Sequence, residues 1–85
     1  MKIEVRTVVI VKAGKERFSR FVVTDVIDER FVLIADGRHR TLDRPKKKNI
    51  IHLQPTAERI DSITTDRKLR EFLRSLERHE DISGG

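Results

Sequence analysis

Phe31-Val32-Leu33-Ile34-Ala35-Asp36-Gly37-Arg38-His39-Arg40-Thr41-Leu42-Asp43-Arg44-Pro45-Lys46-Lys47-Lys48-Asn49 is the stretch on which the reading of this chain turns. An unbroken apolar run, Phe31 to Ala35, meets Asp36-Gly37. Asp-Gly is favoured at two-residue hairpin turns because Gly takes positive φ freely and Asp tolerates it. The pattern predicts a reversal here and a return strand over residues 38–42. What returns is basic: Arg38, Arg40 and Arg44 lead into Lys46-Lys47-Lys48. On a strand, Arg38 and Arg40 lie two apart and share a face. Pro45 cannot donate to a ladder, so it marks an edge or a loop, and the lysines beyond it read as mobile point charges. A charge run alone is most often a solvated face. Its grouping behind a tight turn is what favours a phosphate-contacting edge.

Upstream, Thr7 to Val11 is a β-branched run and reads as a strand. A weaker alternation, Ile3 and Val5 among Lys2, Glu4 and Arg6, precedes it. Lys12-Ala13-Gly14-Lys15-Glu16-Arg17 is a glycine-containing basic loop. Arg20 to Ile27 is a second strand, Asp28-Glu29-Arg30 a polar turn, and Phe31 to Ala35 a third strand. Downstream, Asn49 to Leu53 reads as a last short strand closed by Pro55. Short strands joined by tight turns within so few residues suggest a small antiparallel barrel. Strands that are apolar on both sides need a cover outside the barrel. From Thr65 the apolar positions Leu69, Phe72, Leu73 and Leu76 follow one helical face. Thr65 suits an N-cap, Asp66 complements the helix dipole, and Ile60 and Ile63 can pin the helix to the barrel. Ser83-Gly84-Gly85 reads as a frayed end. The sequence thus predicts a barrel over 1–55 and an extension over 56–85 with a helix at about 65–78.

The chain has 85 residues, one small domain's worth, with 36% hydrophobic and 39% charged residues and no cysteine. Neither disulfides nor a cysteine-ligated metal can support the fold. No apolar stretch approaches the ~20 residues of a membrane span, and the N-terminus lacks a signal peptide's apolar segment. A cytoplasmic protein is the expectation. The formal charge is +5, and its placement matters more than its size. Segments 15–20 and 38–48 hold nine basic residues against two acidic ones, which exceeds the net charge of the whole chain. Such clustering favours a polyanionic partner.

Catalytic chemistry has no foothold in the pattern. His39, His52 and His79 lack metal-ligand spacing; His39 reads as a solvated or interface residue and His52 as a strand-end residue. The serines sit in no nucleophile elbow, and one Gly at position 14 is not a phosphate loop. Four Phe, with neither Tyr nor Trp, cannot build a proline-peptide groove or a methyl-lysine cage. Phe18, Phe21, Phe31 and Phe72 are each better read as core, with Phe18 the one plausible exception. Phosphate and shape recognition by lysine and arginine is what remains.

Ala13-Gly14, the run Phe31 to Arg38, then Arg44-Pro45-Lys46-Lys47-Lys48-Asn49 and His52-Leu53 resemble the KOW-domain RNA-binding proteins of bacteria. Within them the chain looks like the short relatives of the large-subunit ribosomal protein fourteen-e family. Thr65, Asp66, Leu69, Arg70 and Leu73 look like the helix that follows the barrel in such relatives. The resemblance implies a Src-homology-3-like barrel and binding to RNA, ribosomal or otherwise structured. Two positions depart from the family pattern. A Gly usually enters the first strand, where this chain has Arg6-Thr7, and a second Gly usually ends the basic loop, where it has Phe18.

The expectation is therefore a mainly β protein, a small antiparallel barrel with a C-terminal helix packed on it. It is non-catalytic and needs no cofactor. Its RNA surface is Arg38, Arg40, Arg44, Lys46, Lys47 and Lys48, flanked by Lys12, Lys15, Arg17 and Arg20. The competing reading is a protein-interaction barrel, docking on a ribosomal or transcription-machinery protein or self-associating through the apolar face of its helix.

Overall fold

Three of the apolar runs form strands where the sequence places them: β1 (Thr7–Val11), β2 (Arg20–Val26) and β3 (Phe31–Ala35). The computed structural model of the chain describes residues 3–84, with side chains through Glu77. β4 (Lys46–Asn49), a 3-10 turn (Ile50–His52), β5 (Leu53–Arg59) and α1 (Asp66–Gly84) complete the order. The strands make one antiparallel sheet in the order β4-β3-β2-β1-β5. Two cores lie on its opposite sides. Val9, Val11, Phe21, Val23, Val32, Ile34 and Leu53 fill the inside of the curl, with Ile3 and Ile50 packed against them. Val8, Val22 and Ala35 face outward and are covered by Ile60, Leu69 and Leu73, with Leu42, Ile63, Phe72 and Leu76 around them. This is a mainly β fold, a small barrel of the Src-homology-3-like, KOW type with one C-terminal helix.

The helix is the outer cover that the two-sided strands require. Leu69 and Leu73 are buried, and burial at this level stabilises by roughly 2–3 kcal/mol per side chain. Thr65 caps it, its Oγ1 accepting from the Lys68 N–H at 3.2 Å. The helix runs on to Gly84, past the expected end near 78 and through the Ser83-Gly84 expected to fray, while Gly85 lies outside the described residues. Because its apolar face is already used against the barrel, α1 offers no free apolar stripe over Leu69 and Leu73 for self-association.

Three local readings are corrected. Residues 3–6 form no strand: Ile3 packs against the inner core, and a turn follows in which the Thr7 N–H bonds the Glu4 carbonyl. The expected strand 49–53 is broken by the 3-10 turn Ile50–His52, because the Asn49 side chain accepts from the Ile51 N–H and caps it. The strand begins only at Leu53 and runs through Pro55, which an edge strand such as β5 tolerates.

The third correction concerns Asp36-Gly37, which does not make a two-residue hairpin. Asp36 Oδ1 accepts from the N–H groups of both Arg38 (2.9 Å) and Arg40 (2.8 Å), while the Asp36 and Gly37 N–H groups bond the Arg40 carbonyl. The carboxylate thus closes a wider loop around itself. A second turn follows, with the Arg44 N–H on the Thr41 carbonyl and Thr41 Oγ1 on Asp43 Oδ1. Residues 38–42 are therefore loop, and the returning strand is the lysine run itself.

Candidate nucleic-acid interface

Among the described residues β4 is an edge strand paired with β3, so its register decides where each lysine points. Lys46 stands opposite Ile34 and Lys48 opposite Val32, both inner-core residues, so these two lysines share the inner side at the mouth of the curl. Lys47 stands opposite Leu33 on the outer side, and its Nζ lies 4.5 Å from the centre of the Phe31 ring. The three consecutive lysines are thus divided between two faces. Their backbone is held by a ladder, as is that of Arg20 on β2, whereas Arg38 and Arg40 ride on a loop. The sequence suggested the reverse.

The loop between β1 and β2 reaches toward the same mouth. Gly14 has φ +92°, and the Arg17, Phe18 and Ser19 N–H groups bond the carbonyls of Gly14, Val11 and Glu16. Phe18 occupies the left-handed region at φ +73°, and Arg6 does the same at φ +77°. Among the described residues these are the non-glycines with positive φ, and they fall at the two places where the sequence departs from the pattern it resembles. The backbone keeps the shape that glycine would favour, at a cost of roughly 1 kcal/mol per residue.

The β1–β2 loop, the Asp36 loop and β4 together enclose an open cleft of about 480 Å³, lined by Lys15, Glu16, Ser19, His39, Arg40, Lys46 and Lys48 among others. Glu16 is the anion among these cations. Its Oε1 accepts from Lys46 Nζ at 2.9 Å, and its Oε2 lies 3.8 Å from Arg40 Nε. One carboxylate therefore holds two cations from different elements close together against their mutual repulsion. His39 lies 3.6 Å from the Asp36 carboxylate and is exposed.

Ser19 and His39 also border a second, smaller hollow, where Arg20, Arg38, Arg70 and Arg74 meet. Arg20 and Arg38 were expected in the site. Arg70 and Arg74 were not, and they carry the basic face from the barrel onto α1. The signal for them is in the sequence: they stand four apart, each directly after an apolar stripe residue, Leu69 or Leu73.

The remaining expected residues lie outside both hollows. Lys12 is exposed and donates its backbone N–H to the His52 carbonyl. Arg17 lies over the Phe18 ring at 5.5 Å. Arg44 is exposed on the second turn, and Lys47 sits on Phe31. His52 is exposed at the end of the 3-10 turn, and the side chain of His79 lies outside the described residues. Among the described residues no group of His, Cys, Asp or Glu is arranged to hold a metal ion, and no helix is long and apolar enough to cross a membrane.

Fold and face together define a small basic β-barrel with a helical flank. No protein-family profile matches the chain. It is similar to the large ribosomal subunit protein eL14 of Saccharolobus solfataricus, 37% identical over 59 residues, which covers 69% of this chain and 62% of that protein. It is 36% identical over the same length to eL14 of Saccharolobus islandicus (strain L.S.2.15 / Lassen #1) and to eL14 of Pyrobaculum islandicum, of which it covers 62% and 57%. The chain thus spans about three fifths of the length of the curated relatives it matches. These relatives are archaeal, so they lend no support to the bacterial origin that the resemblance implied.

Proposed function

We propose that this chain is a non-catalytic, cytoplasmic RNA-binding protein that contacts structured RNA of the large ribosomal subunit. The observation that carries the reading is the convergence of Lys15, Arg40, Lys46 and Lys48 on one cleft, continued by Arg20, Arg38, Arg70 and Arg74 in the adjoining hollow. Similarity to proteins named as large-subunit components supports the ribosomal part. Lysine and arginine groups ringing an open cleft match a folded phosphate backbone better than an enclosed small molecule. Lys46 and Lys48 act as ordered charges on phosphates, and Arg40 can bridge two phosphate oxygens through its guanidinium. Glu16 keeps Lys46 and Arg40 together in the free protein and yields them to phosphate on binding. Arg17, Lys12, Arg44 and Lys47 flank the cleft and add to long-range attraction.

Lysines on an edge strand also prevent edge-to-edge pairing, and that alone would account for β4 without any RNA. It would not account for cations from the β1–β2 loop, the Asp36 loop and α1 gathering on the same side. Crosslinking in cells followed by sequencing of the bound RNA tests the proposal. Enrichment of a discrete structured site in large-subunit RNA is expected. Recovery of no RNA above background would overturn it and favour docking on a protein.

A further inference from the structure

Phe18 is the most exposed large apolar side chain among the described residues, at 76% of its full surface, and its backbone sits in the left-handed region at φ +73°. Each feature is unfavourable by itself: an aromatic ring is left in water, and a side chain is kept where glycine would relieve the backbone. The backbone serves the loop, but the ring does not serve the fold, since Phe18 belongs to neither core. The backbone is pinned, with the Phe18 N–H on the Val11 carbonyl at 2.7 Å and the Ser19 N–H on Glu16. The backbone that carries the ring is therefore fixed, on the loop whose Lys15, Glu16 and Ser19 line the basic cleft, with the ring itself projecting beside that lining. The Arg17 guanidinium lies over one face of the ring, 5.5 Å from its centre, and adds a cation there.

We propose that Phe18 is a stacking platform for an unpaired nucleobase, so that the preferred target is a structured RNA with a loop or bulge beside the phosphates held in the cleft. This rests on the RNA-binding reading and refines it. Phosphate contacts carry no base information and, through charge density, favour the duplex, so a preference for unpaired RNA has to come from a contact to a base. An aromatic ring of this kind stacks with any base, so the expected preference is for unpaired structure and not for sequence.

The test compares two RNAs with equal numbers of phosphates, a hairpin with an unpaired loop and a blunt duplex, using the full chain. Wild type is expected to favour the hairpin by about tenfold, within the range that base–aromatic stacking supplies. Phe18→Ala and Phe18→Gly should abolish that preference and leave the salt dependence unchanged, because no charge is removed. Phe18→Gly also relieves the backbone, so its loss of binding cannot come from unfolding, and a thermal melt verifies this. Phe18→Trp should keep the preference, and its indole, the sole Trp in a chain with neither Trp nor Tyr, should be quenched by the hairpin. Equal wild-type affinity for the two RNAs, or a preference that survives Phe18→Ala, overturns the stacking proposal while salt-dependent binding upholds the interface. Failure of the wild type to bind either RNA overturns both.

Discussion

Arg70 of α1 donates from Nη1 to the carbonyl of Gly37 at 2.7 Å, joining the helix to the turn that carries the basic loop. The same junction is closed from the other side, where the Leu42 N–H donates to Asp66 Oδ1 at 2.8 Å. Asp66 therefore serves both as the first acidic residue of the helix and as an anchor for the chain leaving the loop. The helix that covers the outer core also fixes where Arg38, His39 and Arg40 stand.

Gly37 makes this junction possible. Its φ is +76°, and a Cβ built there would collide with the Asp66 carbonyl oxygen. Gly37→Ala should destabilise the fold by roughly 2 kcal/mol or more, through both the backbone region and the overlap. Denaturant titration measures it. Arg70→Ala, which leaves the turn intact but unanchored, should cost about 1 kcal/mol and also weaken RNA binding.

Leu69 is 1% exposed at the centre of the outer core. Leu69→Ala should lower stability by about 2–5 kcal/mol, the usual cost of removing a buried leucine. An unchanged melting temperature would mean that the helix is not part of the cooperative unit.

The two left-handed non-glycine residues should respond differently to glycine. Phe18→Gly should raise stability by up to about 1 kcal/mol, because relief of the backbone exceeds the entropy that glycine adds to the unfolded chain. Arg6→Gly should be near neutral, since it also removes the bond from Arg6 Nη1 to the Asp61 carbonyl at 2.7 Å. Chemical denaturation of both variants separates the cases.

Acid should weaken the turns before it reaches the cores. The N–H groups of Arg30 and Phe31 bond Asp28 Oδ1 and hold its carboxyl below the usual aspartate range, and the Thr41 hydroxyl does the same for Asp43. Because the folded value is depressed, this stability is present above the unfolded pKa of about 3.9 and is lost as pH falls through the folded value. Asp28→Ala should flatten the decline of melting temperature in that acid window and leave neutral pH dependence unchanged.

The first three strands and the helix were legible because β-branched or apolar runs between turns mark the strands and one apolar face marks the helix, as with Phe31 to Ala35 and Leu69 to Leu76. The lysine strand was not, because Lys46 to Asn49 has no apolar alternation and follows a proline. Its strand character comes from pairing with β3, a tertiary effect that local propensity does not carry. Asp36-Gly37 misled for a different reason: the Asp36 carboxylate takes the Arg38 and Arg40 N–H groups and widens the turn, and Arg70 then anchors it to the helix. The site was legible as a charge cluster only. Which lysine shares a cleft with which arginine depends on strand register, and Arg74 enters only once the helix is docked.

The division of the lysine run between two faces gives the central claim its most direct test. Affinity for a structured RNA would be measured across a salt series for wild type, the Lys46→Ala/Lys48→Ala double variant and Lys47→Ala. The double variant should lose affinity by more than tenfold and flatten the salt slope by about two units, one for each phosphate contact removed. Lys47→Ala, which removes an ammonium seated on Phe31 outside the cleft, should change the slope by well under one unit. Equal effects per lysine at all three positions, or a double variant that binds as wild type does, would contradict the cleft as the RNA-binding surface.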